Sequence, residues 1–178
     1  LQNGDIINID ITVIFNGWHG DSSRMFAAGK ISKKAELLVK TTYECLLKGI
    51  EISGELIPRV VDELPILSLA ACFAKGTTVI KDAQELRVKE SDRISATVES
   101  LKQFGAKITE TDDGMIIEGG HKLNGATVGS YGDHRIAMTN GIAGLLVSGT
   151  TNVENSEDAS VSYPNFWTTV SQLQGTNQ

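Results

Sequence analysis

One stretch of this chain has an internal echo. AACFAKGTTVIKDAQ (residues 70–84) and IAGLLVSGTTNVENSE (residues 142–157) share an apolar helical pattern, a Gly-Thr-Thr, a strand and a small polar turn, and Gly76 maps onto Gly149 at an offset of 73. The plainer alternative is chance similarity between two strand–helix units, but repeated units also place equivalent residues at the same structural corner. The echo therefore predicts a symmetric α/β scaffold with its site along one rim. The same offset carries Asp62 onto Arg135, which puts two charged residues at equivalent helix starts.

The rest of the second half alternates helix and strand in the same style. Apolar spacing predicts a helix over 63–74 and a strand over 76–81. A further helix over 91–104 carries Ile94, Val98, Leu101 and Phe104 at helical spacing and closes on Gly105. Strands at 106–111 and 115–118 meet at Asp112-Asp113-Gly114, a hairpin signal. A strand near 126–129, a helix over 134–147, a strand over 150–154 and a last helix from about Pro164 complete the pattern.

The first half opens differently. Residues 6–15 alternate, with Ile7, Ile9, Ile11, Val13 and Phe15 on one face. Asn16-Gly17 then signals a hairpin into WHGDSSRMF. A two-residue loop pairs Phe15 with Trp18, Thr12 with Asp21 and Asp10 with Ser23. Asp10 and Asp21 become diagonal neighbours on one face, their Cβ atoms roughly 7–8 Å apart. Ser32 reads as the N-cap of a helix carrying Ala35, Leu38, Val39, Thr42, Leu46 and Leu47 and stopping at Gly49. From Glu51 to Pro58 the pattern breaks, which makes this the candidate boundary between residues 1–50 and 51–178. Because the chain begins at Leu1, inside the run-up to a strand, it reads as a piece of a longer polypeptide.

Bulk properties exclude more than they assign. The 178 residues carry a net charge of −6 and a pI near 5.1, so whole-chain attraction to nucleic acid or an anionic membrane is not expected. No apolar run reaches the length of a membrane span, and the default expectation is a cytoplasmic protein. Cys45 and Cys72 sit in apolar helical contexts far from metal-ligand or redox spacing, as core thiols do.

Function concentrates in two charged loops, Arg87-Val-Lys-Glu-Ser-Asp-Arg93 and Tyr131-Gly-Asp-His-Arg-Ile-Ala-Met138, each running into an apolar helix. Fixed guanidinium and ammonium groups beside a carboxylate suit a site that grips an anion and moves a proton. The plainer alternative is a solvated first helical turn, with Glu90–Arg93 as an i,i+3 pair worth ~0.2–0.5 kcal/mol. Asp133 is either a helix cap or a substrate contact, and His134 either orients the site or packs at the helix start.

GELIPRVVDELP (54–65), RVKESDRI (87–94), SYGDHRIAM (130–138) and SYPNF (162–166) carry a resemblance. By these motifs the chain from about residue 52 to 175 resembles the C-terminal part of the 3-phosphoshikimate 1-carboxyvinyltransferases (EPSP synthases). The resemblance implies an α/β (α+β) fold, a partial inverse α/β-barrel of βαβαββ units. It implies transfer of the enolpyruvyl group of phosphoenolpyruvate to the 5-hydroxyl of shikimate 3-phosphate, with neither metal nor organic cofactor. It makes Asp62 the carboxylate that contacts the attacking hydroxyl and Glu90 the acid/base at the phosphoenolpyruvate methylene. Lys89 is implied as the neighbouring cation, and Arg93 with Arg135 as the pair holding the phosphoenolpyruvate carboxylate. Bidentate arginine suits that carboxylate better than lysine does. One position departs from the pattern: some members carry a phosphate-binding lysine where this chain has Val161, so either the cation comes from elsewhere or the phosphate is held less tightly.

Residues 1–50 resemble something else. NGDIINIDITVIFNGWHGDSSRMFAAGK and TTYECLLKGI are similar to methionine aminopeptidases, dinuclear metallopeptidases of the pita-bread fold. That resemblance implies a β-hairpin plus helix and makes Asp10 and Asp21 metal ligands for Mn, Co, Fe or Zn. The family also needs one His and two Glu from later segments, which this chain does not continue into, so only a vestigial site is expected. The two resemblances meet near Gly49–Gly54 without a linker, as in a chimera formed by recombination, design or mis-joining. Apolar residues of the first fifty residues then lack their original cover, which predicts burial on the transferase-like part or self-association.

Overall fold

The computed structural model describes residues 3, 6–15, 18–27, 29–33, 36 and 50–175. Its internal contacts divide the chain into two compact units, Leu1–Leu47 and Lys48–Gln178. The first holds an antiparallel ribbon of β1 (Ile6–Phe15) and β2 (Trp18–Ala27). Its register pairs Phe15 with Trp18, Thr12 with Asp21 and Asp10 with Ser23, as the period-two alternation requires. The side chains of Asp10 and Asp21, and most of the helix expected after Ser32, lie outside the described residues.

The second unit is a layered α/β arrangement. Strand β3 (Glu51–Ile52) leads through a 3-10 turn at Gly54–Leu56, the single-turn helix α1 (Ile57–Val60) and a second 3-10 turn at Val61–Glu63 into helix α2 (Leu64–Phe73). Then come β4 (Gly76–Ile80), a 3-10 segment at Gln84–Val88, α3 (Arg93–Gln103), β5 (Lys107–Thr111) and β6 (Gly114–Gly119). These make one βαβαββ unit whose sheet runs β3-β4-β6-β5, with β3 parallel to β4 and the other pairs antiparallel. A second unit begins with β7 (Thr127–Gly129), α4 (His134–Leu146), β8 (Asn152–Glu154) and α5 (Phe166–Gly175).

The repeat seen in the sequence is a repeat in space. β3 runs parallel to β4 across α2, and β7 runs parallel to β8 across α4. Val79 pairs with Glu51, and its counterpart at the same offset, Asn152, pairs with Thr127. Gly76 and Gly149, which turn each helix into its strand, have φ values of 103° and 99°. Both need a left-handed backbone that glycine adopts without steric cost.

Apolar periodicity explains the packing. Ile94, Val98, Leu101 and Phe104, the helical stripe of α3, are all buried. They pack with Leu64, Leu69, Ile80, Met115 and Ile117 from α2 and the sheet in one core. A smaller cluster joins Ala137 of α4 to Phe166 and Val170 of α5. Gly119 lets β6 approach the end of α2, since a Cβ there would lie 2.2 Å from the Ala74 carbonyl oxygen and 2.3 Å from that of Ala71. Among the described residues no helix is long and apolar enough to cross a membrane.

Candidate active site

Two helix starts build the site. Asp92 caps α3 by accepting from the Ser95 amide at 3.1 Å, and Asp133 caps α4 by accepting from the Arg135 amide at 2.9 Å. Arg93 and Arg135 thus each lie in the first turn of a capped helix. The turn before Asp133 is unusual, because Tyr131 (φ 59°) and Gly132 (φ 72°) are both left-handed. For a tyrosine that conformation is uncommon and is held by its surroundings.

Arg93 is the hub. Its side chain is 1% exposed, and it donates from Nε to Asp133 Oδ2 at 2.7 Å, from Nη1 to Asp62 Oδ1 at 2.9 Å and from Nη2 to Glu90 Oε2 at 2.5 Å. Nη2 also reaches Asp133 Oδ1 at 3.4 Å, so Asp133 grips the fork with both oxygens. Asp133 is fully buried and accepts from Ser91 Oγ at 3.1 Å as well. Burial pushes its carboxyl upward, but the Arg93 guanidinium, the Arg135 amide and Ser91 outweigh that and hold it below the usual carboxylate range. For Arg93, burial works against the charge, and the carboxylates of Asp133, Glu90 and Asp62 overcome it.

Asp62 lies in the 3-10 turn before α2, with its side chain 42% exposed. Arg135 Nη1 donates to its backbone carbonyl at 2.9 Å, and Nη2 stands 3.4 Å from Oδ2. The Asp62 carboxylate therefore sits between both guanidinium groups. Lys89 Nζ is 4.0 Å from Asp62 Oδ1 and pairs closely with Glu85 at 2.7 Å, a contact that raises its pKa. Glu63 is 3.8 Å from Arg135.

Asp62, Lys89, Glu90, Arg93 and Arg135, the five residues singled out from the motifs, are thus brought into one cluster. Asp133 proves to be a cap and a counter-ion at once. The Glu90–Arg93 i,i+3 pair exists, but on a buried guanidinium rather than a solvated turn. Sequence reasoning missed Ser91, Glu63 and Glu85. The last was visible as a Glu four residues before Lys89, although the segment is 3-10 rather than α. Val161 is well exposed. Among the described residues no group of three or more His, Cys, Asp or Glu is arranged to hold a metal ion.

Two arginines and a lysine facing carboxylates, on a βαβαββ scaffold, set this chain among α/β proteins that gather charges of both signs at paired helix starts. The sequence model of EPSP synthase (3-phosphoshikimate 1-carboxyvinyltransferase) matches residues 7–170. The chain belongs to the EPSP synthase family. It is 55% identical over 141 residues to the 3-phosphoshikimate 1-carboxyvinyltransferase of Thermoanaerobacter sp. (strain X514), covering 79% of this chain and 33% of that protein. To the same enzyme of Synechococcus elongatus it is 57% identical over 129 residues, 72% of this chain and 29% of the relative. The EPSP synthase structure from Acinetobacter baumannii aligns with a TM-score of 0.67 at 34% identity, over 94% of this chain and 35% of that one. The chain therefore spans about a third of the length of the curated relatives it matches. Because the family match starts at residue 7, it takes in the hairpin. The aminopeptidase resemblance of residues 1–50, and with it Asp10 and Asp21 as metal ligands, gains no support from these comparisons.

Proposed function

We propose that residues 51–178 carry part of the machinery that transfers the enolpyruvyl group of phosphoenolpyruvate to the 5-hydroxyl of shikimate 3-phosphate. The observation that carries this reading is the convergence of Asp62, Lys89, Glu90, Arg93 and Arg135 from three separate segments onto one cluster. The chain spans about a third of its relatives, so the reading concerns a share of the site and not turnover by this chain alone. Residues 1–50 are proposed as a unit separate from residues 51–178, which the division of contacts between Leu47 and Lys48 supports.

In this reading the hydroxyl oxygen adds to C2 of phosphoenolpyruvate, with Asp62 receiving its proton, while protonated Glu90 delivers a proton to the methylene carbon. The resulting tetrahedral adduct loses phosphate as Glu90 takes back a methyl proton, which restores the double bond, and the proton held by Asp62 passes to the departing phosphate, which leaves as hydrogen phosphate. Arg135 and Arg93 hold the carboxylate, and Lys89 offsets charge at the reacting centre. Positive charge developing at C2 is stabilised by the flanking carboxylates. No metal or organic cofactor enters the scheme.

Calorimetric titration with phosphoenolpyruvate tests it, comparing the chain with Arg135→Ala. Arg135 is the informative choice because its side chain is 32% exposed. Removing Arg93 would leave Asp133 buried and unpaired and unfold the site. The expected result is saturable binding weakened about tenfold or more in the variant, as for loss of one charge-assisted contact. Identical isotherms would end the proposal.

A further inference from the structure

Among the described residues, the cluster gathers five carboxylates, Asp62, Glu63, Glu85, Glu90 and Asp133, around three cations, Lys89, Arg93 and Arg135. That is a formal surplus of two negative charges where a polyanion is to be held. Four of the five face a single cation each through their side chains. Asp133 is buried against Arg93, Glu85 faces Lys89, Glu63 lies 3.8 Å from Arg135, and Glu90 takes Nη2 of Arg93 from its own turn. Asp62 alone among them touches both guanidinium groups, one with each oxygen, at 2.9 Å and 3.4 Å. This is the geometry a bound substrate carboxylate would take on the same pair.

We propose that Asp62 is an internal competitor for the anion seat: its carboxylate fills the space between Arg93 and Arg135, and an incoming carboxylate enters only as Asp62 withdraws. The inference rests on the functional reading above and adds a control on ligand entry to it. Two carboxylates cannot share the seat, since like charges at contact distance repel and the donors facing the seat cannot satisfy both. A ligand's apparent affinity is reduced by the fraction of molecules in which the seat is taken. Asp62 is able to withdraw because its side chain is partly exposed and lies in a short 3-10 turn, whereas Asp133 is locked by four donor contacts.

Calorimetry with phosphoenolpyruvate on the chain, on Asp62→Asn, on Glu63→Gln and on Asp62→Asn combined with Arg135→Ala decides it. Asp62→Asn is expected to bind at least about tenfold tighter than the unmodified chain, and Glu63→Gln within about threefold of it, because seat occupancy and not bulk charge sets the difference. Adding Arg135→Ala should abolish the gain. Circular dichroism checks the fold, and Asp62→Ser serves as a second variant with the same expected direction. Equal or weaker binding by the Asp62 variants, or an equal gain from Glu63→Gln, overturns the inference. Failures are distinguishable. Binding that depends on Arg135 but is indifferent to Asp62 sinks only this inference, whereas Arg135-independent binding or none in any variant sinks the functional reading and this one together.

Discussion

At the scale of single residues, Asp133 ties the site together although the motifs assign it no role of its own. It is buried, it answers Arg93 with both oxygens, and it starts α4. Removing one partner of such a buried pair costs about 3–5 kcal/mol. Asp133→Asn should therefore lower the unfolding free energy at pH 7 by roughly 3 kcal/mol, measured by urea denaturation. The sign of its pH dependence follows from a carboxyl held below its ordinary value. Its stabilisation is present above the unfolded pKa near ~3.9 and is lost as pH falls through the lower native one. The gap between the original chain and the variant should narrow as pH drops from about 5 towards 2, and a constant gap would contradict the assignment. Cys72 offers a second check. Burial pushes its thiol up to about 11, so the native chain should react with iodoacetamide far more slowly at this position than the urea-unfolded chain, followed by peptide mass spectrometry. The kinds of charge needed here were legible from the density of the two loops. The partner of each was not, because Arg93 and Asp133 lie 40 residues apart and only packed helices decide which carboxylate faces a guanidinium.

At the scale of elements, periodicity did well wherever an apolar stripe met the core. The α3 pattern and the hairpin of β5 and β6 fell where spacing and Asp112-Asp113-Gly114 put them. What escaped was short. β3 has two residues, too few to alternate, and it was read only as a break in pattern. The 3-10 segments at 54–56, 61–63, 84–88 and 156–161 have no lasting period of their own and are set by what they connect. Close approach is likewise silent in sequence. Nothing around Gly119 announces that two carbonyl oxygens of the α2 terminus occupy the space of a side chain. Gly119→Ala should cost about 2 kcal/mol or more, since backbone must move to admit the methyl group, and an unchanged urea midpoint would refute this.

At the scale of the whole molecule, the chain separates into two sets of contacts divided after Leu47. Its two tryptophans report on them separately, Trp18 in β2 and Trp167 in α5. Trp167→Phe leaves a probe of the first unit and Trp18→Phe a probe of the second. The expected fluorescence-monitored urea curves have different midpoints, and coincident curves would mean a single cooperative body. The repeat across the second unit has a consequence of its own. Positions 62 and 135 are equivalent under it, and they touch. Where a duplicated pattern meets itself, a residue faces its own twin, and two aspartates or two arginines at such a point would push each other apart. Duplication can therefore be faithful everywhere except at that meeting point, where the halves must differ in sign.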